Sequence, residues 1–373
     1  MKTTALYSRY IIDGVPQEFT PAEILDAVLE TPSGPSPDAP QTIIDETVDQ
    51  VLGTYDYDPS SVDRYLSLVG ATERKVPKAF AEGFIRGRIE RALIDLLWRK
   101  GHFRIGDLVL DIRWRWPDRE VGDMAAFYSS VLSAADCIEG LSVKLRSYSC
   151  EQSGDECAVS VDAALSSSTE DDELIGSEPF RAVSPSLSAA AAVPAVLEQD
   201  PQSWLIYIPF DTSEFRLGGS LLTQALGFGG GVHPPLEDTD YFLDCYEVLR
   251  ELVEDGIVRA ASTVGDGGLL TALKGMLPQG TDVVVNISDI ISSYQEKNIV
   301  RILFAEVPGV IIQIKDQDFD YVDAELLLQD VQYFPLGHPS RGEGRISVST
   351  SAKTGIETIL ESLIRNQGAE GED

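Results

Sequence analysis

Apolar and polar positions alternate along this chain in two clear periods. From Ala79 onward, Phe80, Phe84, Ile85, Ile89, Ala92, Leu93, Leu96 and Leu97 recur every three or four residues and predict a long helix with one apolar face. After it, Leu108, Leu110, Ile112, Trp114 and Trp116 alternate with Val109, Asp111, Arg113 and Arg115, which predicts a half-buried strand. Met124 to Ile138 is helical again, and strands follow at Val143–Tyr148 and Ala158–Leu165. The second half alternates strand and helix: Trp204–Phe210, Leu221–Leu226, Thr239–Val253, Val258–Ala261, Leu269–Met276, Val283–Ile287, Asn298–Phe304, Val310–Ile314 and Val322–Gln329. A strand at Ile346–Ser349, a helix at Thr354–Ile364 and an acidic tail from Gly368 close the chain.

The first eighty residues are less regular. Ala5 to Ile12 reads as a strand, and Thr20-Pro-Ala-Glu23 is a capping box that opens a helix to about Leu29. The proline-rich run Thr31 to Pro40 is a linker or exposed loop. Helices are predicted at Thr42–Val51 and Pro59–Leu68, the latter capped by Asp58. Ser166 to Glu173 reads as an acidic loop, Ser184–Val193 as a strand closing the first sheet, and Gly227 to Pro235 as a glycine-rich loop. The length exceeds the roughly 250–300 residues one core sustains, so two domains are expected, divided near Gln202.

One stretch organises the second half. Val258 to Ala261 is a buried strand, Gly265-Asp-Gly-Gly268 a tight turn, and Leu269, Leu270, Ala272, Leu273 and Met276 the apolar face of a helix. A strand, glycine turn and helix start present free N–H groups suited to a phosphate. Such turns also occur without any ligand, and Asp266 is equally suited to capping the helix.

Composition narrows the function classes. The formal charge is −32 and the pI about 4.3, a surface that repels nucleic acid and anionic membranes. Nine lysines against twenty arginines, with 61 acids, suggest adaptation to high internal salt; an ordinary acidic cytosolic protein is the alternative. Cys137, Cys150, Cys157 and Cys245 form neither a disulfide framework nor a metal spacing. No apolar run approaches the roughly 20 residues of a membrane span and the start lacks a signal peptide's apolar core, so a cytoplasmic location is expected. His102, His233 and His338 lie beside no plausible nucleophile.

Three blocks carry a resemblance: Leu217-Gly-Gly-Ser220, Gly265-Asp-Gly-Gly-Leu-Leu270, and Leu303-Phe-Ala-Glu-Val-Pro-Gly-Val-Ile-Ile-Gln-Ile314. In this order they resemble the C-terminal domain of the aminoimidazole ribonucleotide synthetase-like superfamily, and within it the second synthetase half of long-form phosphoribosylformylglycinamidine synthases. The resemblance extends more weakly back to about Phe80. It implies an α/β (α+β) fold of mixed sheets packed with helices: residues 1–202 an N-terminal synthetase-like domain of the ATP-binding or dimerisation type, divergent over its first eighty residues, and 203–373 the C-terminal domain. It implies ATP-dependent conversion of an amide to an amidine, with ATP or ADP and Mg2+ as cofactors and ammonia from a glutaminase subunit. It also implies a homodimer or a pseudo-dimer with a homologous synthetase chain.

By the same resemblance, Gly218, Gly219, Ser220, Gly265, Asp266, Gly267 and Gly268 are candidates for phosphate contact, and Asp95 and Glu306 for metal. Gly218 and Gly219 read first as turn-formers, and Asp95 first as the partner of an arginine such as Arg91 or Arg113. The catalytic motifs depart from the family. Its His-Asp pair falls on Ser262-Thr263, its Glu-Ala-Leu-x-Asn on Arg91-Ala-Leu-Ile-Asp95, and its Gly-Lys-Asp-Ser on Ser147-Tyr-Ser-Cys150. Two functions stay open: a synthase component working with partner chains, or a non-catalytic subunit that keeps the fold for nucleotide binding or assembly. A selenophosphate or thiamine-phosphate kinase relative is disfavoured, for want of their N-terminal metal site.

Overall fold

A computed structural model describes residues 4–12, 14–29, 59–118, 122–154, 157–166, 193–227 and 238–351. The proline-rich run, the helices expected at Thr42–Val51 and Thr354–Ile364, the cap Asp58, most of the loops expected at 166–173 and 227–235, and all but the last residue of the strand at Ser184–Val193 lie outside these residues.

The N-terminal part holds α1 (Thr4–Tyr7), β1 (Ile11–Ile12), β2 (Val15–Pro16), α2 (Pro21–Ala27) and α3 (Pro59–Ala71). The strand expected from Ala5 is therefore a short helix and half a hairpin; Gly14, at φ +82°, turns the chain back. The capping box at Thr20 forms as expected: its hydroxyl accepts from the Glu23 N–H, and the Glu23 carboxylate accepts from the Thr20 N–H. Next come α4 (Ala81–Lys100), β3 (Leu108–Trp116), α5 (Asp123–Gly140), β4 (Lys144–Gln152) and β5 (Ala158–Leu165). β3 is the centre of a three-stranded sheet, parallel to β4 and antiparallel to β5. Trp114 and Trp116 are core residues, their indole N–H groups donating to Ser130 Oγ and the Asp123 carbonyl.

The remainder is β6 (Trp204–Pro209), α6 (Leu221–Ala225), α7 (Thr239–Glu254), β7 (Ala260–Val264), α8 (Gly268–Met276), β8 (Thr281–Asn286), α9 (Ser288–Tyr294), α10 (Ile299–Phe304), β9 (Gly309–Ile314), α11 (Phe319–Leu328), β10 (Phe334–Gly337), β11 (Pro339–Arg341) and β12 (Ile346–Ser349). β10-β6-β9-β7 form one antiparallel sheet, and β11-β8-β12 a mixed one. The architecture is α/β with mixed sheets, as expected. β10 and β11 were not expected, because Pro335 and Pro339 interrupt the pattern; both are edge strands, where a missing N–H is tolerated.

The four-stranded sheet separates two apolar cores by period-two alternation. Ile206, Ile208, Val310, Ile312 and Ile314 face the core shared with α4, α5, α7 and β3. Leu205, Tyr207 and Ile311 face the core shared with α3, α8, α10 and β8. The first core thus draws on both sides of residue 202. Among the described residues no helix is long and apolar enough to cross a membrane.

Candidate functional site

β6 and β7 both run antiparallel to β9, so both leave the sheet where β9 enters it. Gly309 is the shared end point, opposite Pro209 on one side and Val264 on the other. A side chain at Gly309 would meet the Ile208 carbonyl at 2.8 Å, so only glycine lets the strands close there. Three loops leave this end of the sheet: the turn at 217–220, the turn at 265–268, and the 305–308 segment that carries Glu306.

Glu306 ties these loops together. One carboxylate oxygen accepts from the Leu221 N–H at 2.7 Å and the Gly267 N–H at 2.9 Å, one from each glycine corner. Arg74 grips both oxygens, at 3.0 and 2.8 Å. The two corners therefore meet, but an internal carboxylate already accepts from amides at both. The glycines have structural reasons as well. Gly219 (φ +72°) lies against Phe80 and Pro77. A Cβ at Gly267 (φ +81°) would meet Thr271 and Val69 at 2.5–2.6 Å, and one at Gly268 (φ +73°) the Phe304 backbone at 2.6 Å. Gly265 faces the Arg91 side chain. Ser220 caps the short helix α6, its hydroxyl accepting from the Thr223 N–H. Gly218 is buried in its turn.

Asp266 caps no helix; the N-cap position belongs to Gly267. Its carboxylate points at α4, where Arg88 and Arg91 donate to separate oxygens at 2.8 and 2.7 Å, with Arg74 Nε 3.7 Å away. Burial opposes its ionisation, but Arg91, Arg88 and Arg74 outweigh burial and hold the carboxyl below its usual range. Arg88, Arg91, Asp95 and Trp98 stand three, four and three residues apart, a polar stripe on one face of α4. Its lower end meets β7: Thr263 donates to Asp95 and accepts from the Trp98 indole N–H. The ion pair expected between Asp95 and Arg91 or Arg113 does not form, because Arg91 turns to Asp266 and Arg113 to Asp162. Burial pushes the Asp95 carboxyl up, against the Thr263 hydroxyl bond.

Arg74 and Arg88 were not foreseen. Arg88 was legible as the start of the α4 stripe, whereas Arg74 follows α3 with no local pattern to mark it. Ser262 and Thr263, expected just beyond the strand, lie inside β7, and Thr263 is engaged with Asp95. The His338 ring packs on Trp204, and its Nδ1 lies 2.9 Å from the Ser203 carbonyl. His102 lies 3.9 Å from Glu254. None of the four cysteines is in a disulfide among the described residues.

Magnesium needs oxygen ligands with unspent negative charge. Both oxygens of Asp266 and of Glu306 are engaged by guanidinium groups, and Asp95 is held toward its neutral form. Arg91 adds a cation to the same place. These residues do not fit the ion. Among the described residues no group of three or more His, Cys, Asp or Glu side chains is placed to hold a metal.

Beside this cluster lies an open groove of about 370 Å³, lined by residues of the 72–80 segment together with Gly219, Thr223 and Gln224. Gln224 clamps the groove wall, its side chain bonding the Lys75 N–H and carbonyl at 3.0 Å each.

Residues 212–337, which contain both corners and Glu306, match the family described as AIR synthase related protein, C-terminal domain. The chain is 24% identical over 263 residues to the human phosphoribosylformylglycinamidine synthase, covering 67% of this chain and 18% of that protein. It is 29% identical over 143 residues to the Drosophila melanogaster protein of the same name, covering 36% of this chain and 10% of that one. Among solved structures, Thermotoga maritima PurL complexed with FGAR aligns over 72% of this chain and 40% of its own at a TM-score of 0.49 and 12% identity. The chain spans less than a fifth of the length of the curated relatives it matches. Residues 212–337 thus match an AIR synthase-type C-terminal domain, and over 67% of its length the chain is similar to a phosphoribosylformylglycinamidine synthase.

Proposed function

We propose that the chain is a subunit of a phosphoribosylformylglycinamidine synthase-type ligase of purine biosynthesis, binding a phosphorylated ligand beside its two glycine corners. The observation that carries this reading is the convergence of both corners and three arginines on one end of the four-stranded sheet, within and against the matched domain. The ligand is an ATP- or ADP-like nucleotide or a ribonucleotide, each able to present a phosphoryl group to guanidinium donors. Amide-to-amidine chemistry would fall to a homologous synthetase chain, paired with this one as a pseudo-dimer, with a glutaminase supplying ammonia. A homodimer is the simpler arrangement.

The assembly role is favoured over independent turnover by the residues at the family's catalytic positions. Ser262, Thr263 and Arg91 stand where a base and metal ligands are implied, and Thr263 and Arg91 are committed to Asp95 and Asp266. The acid excess and scarce lysine suit a cytoplasm rich in salt. Co-purification from native cells tests this reading, followed by amidine formation from the amide substrate, ATP and ammonia with the recovered partner. A chain that recovers no synthetase partner and binds no nucleotide would end it.

A further inference from the structure

Three arginines converge where the family resemblance implies a divalent cation. Arg74, Arg88 and Arg91 set three guanidinium groups against the two carboxylates they grip, Asp266 and Glu306, in a chain of formal charge −32. Among the described residues the Nε–H of all three is buried without a hydrogen-bond partner, Arg74 Nε lying 3.7 Å from Asp266. One such orphan is unremarkable, but three buried Nε–H groups in one cluster are donors to which a further acceptor could bind. The Cζ atoms of Arg74 and Arg88 each lie 5.0 Å from the Phe84 ring centroid, cation–π contacts that draw both arginines to the same ring. Arg88 and Asp266 are the most open members, each with 29% of its side chain exposed, and give the cluster its access.

We propose that Arg74, Arg88 and Arg91 form a metal-independent seat for a phosphoryl group. The guanidinium groups supply the charge compensation that magnesium supplies in other phosphate sites. A phosphoryl group fits the need: it is anionic, it offers several acceptor oxygens, and it matches the fork of a guanidinium. Asp266 competes with the ligand for Arg88 and Arg91. This deepens the phosphorylated-ligand reading given above and rests on it.

The test is calorimetric titration of the full chain with inorganic pyrophosphate and with ADP, in chelator and in excess magnesium. Equal affinity in both conditions is expected. Arg88→Gln is expected to weaken binding about tenfold, the loss of one charge-assisted hydrogen bond. Asp266→Asn is expected to tighten it severalfold, which a purely structural arginine cluster would not do. Arg88→Lys keeps the charge and serves if Arg88→Gln does not fold; loss of the fork should still weaken binding. Binding only with magnesium overturns the metal-independent seat and leaves the nucleotide reading standing. Wild-type affinity in the arginine variant overturns the assignment of the seat. No binding in either condition overturns both.

Discussion

Replacing Glu306 by alanine tests the centre of the site. The side chain is 4% exposed and accepts three hydrogen bonds, two from backbone N–H groups and one from Arg74 Nη1, with Arg74 Nη2 in an ion pair to its other oxygen. Removing one member of a buried ion pair costs about 3–5 kcal/mol, because the other charge is stranded. Each buried amide left without an acceptor adds about 1–3 kcal/mol. Water entering the cavity recovers part of this, so the net loss is about 5 kcal/mol, comparable with the whole stability of a marginal domain. Glu306→Gln keeps an acceptor for the two amides and loses only the charge, for about 2 kcal/mol. Urea unfolding gives both numbers, with Glu343→Ala as control: Glu343 pairs with Arg345 in solvent, and its loss should leave the midpoint unchanged. Because the pair is buried, added salt should not rescue Glu306→Ala. A Glu306→Ala protein within about 1 kcal/mol of wild type would refute the view that this carboxylate joins the two corners.

The pH dependence should carry two opposite signs. Asp266, with its carboxyl held low, contributes stability that is present above its unfolded pKa and lost as pH falls through the folded one; Asp266→Asn should flatten the acid limb of a stability–pH curve. Glu90 is fully buried, with burial and then Asp211 raising its carboxyl well above the usual range. Its contribution is present below the unfolded pKa and lost as pH rises through the folded one, so Glu90→Gln should be more stable than wild type at neutral pH by urea midpoint. Gly268→Ala forces a Cβ to 2.6 Å from the Phe304 backbone at φ +73° and should cost more than about 2 kcal/mol. Gly275→Ala, in α8 with open space around it, should instead gain about 0.5–1 kcal/mol, read in the same assay.

What the sequence made legible is what is decided locally. The Thr20 capping box, the apolar face of α4 and the strand β3 each follow from neighbours within a few residues, and each formed. β3, however, alternates in burial only beyond Ile112 and is buried on both faces before it, where β4 and β5 flank it. The glycine corners were also legible, because a positive φ beside a strand and a helix has few other causes. Their occupant was not. Arg91 and Arg88 reach Asp266 across 175 and 178 residues, and Arg74 reaches Glu306 across 232. No periodicity encodes a pairing at that separation. Asp95 shows the same limit: a carboxylate four residues from Arg91 on a helix predicts a local ion pair, yet Arg91 has a second acid within reach and takes it.

The charge of the whole chain sets the sign of one last effect. An anion approaching the arginine cluster crosses the field of a molecule of formal charge −32, a long-range repulsion that salt screens beyond the ~10 Å Debye length at 0.1 M. The cluster's own contacts are short and largely buried, with Arg74 and Arg91 each 12% exposed, so salt reaches them poorly. Raising ionic strength therefore removes the repulsion before it weakens the attraction. Stopped-flow association of pyrophosphate should accelerate as salt rises from low to moderate, the reverse of a phosphate site on a basic surface. An association rate that falls over that range would mean that the local positive charge, and not the acidic envelope, governs entry.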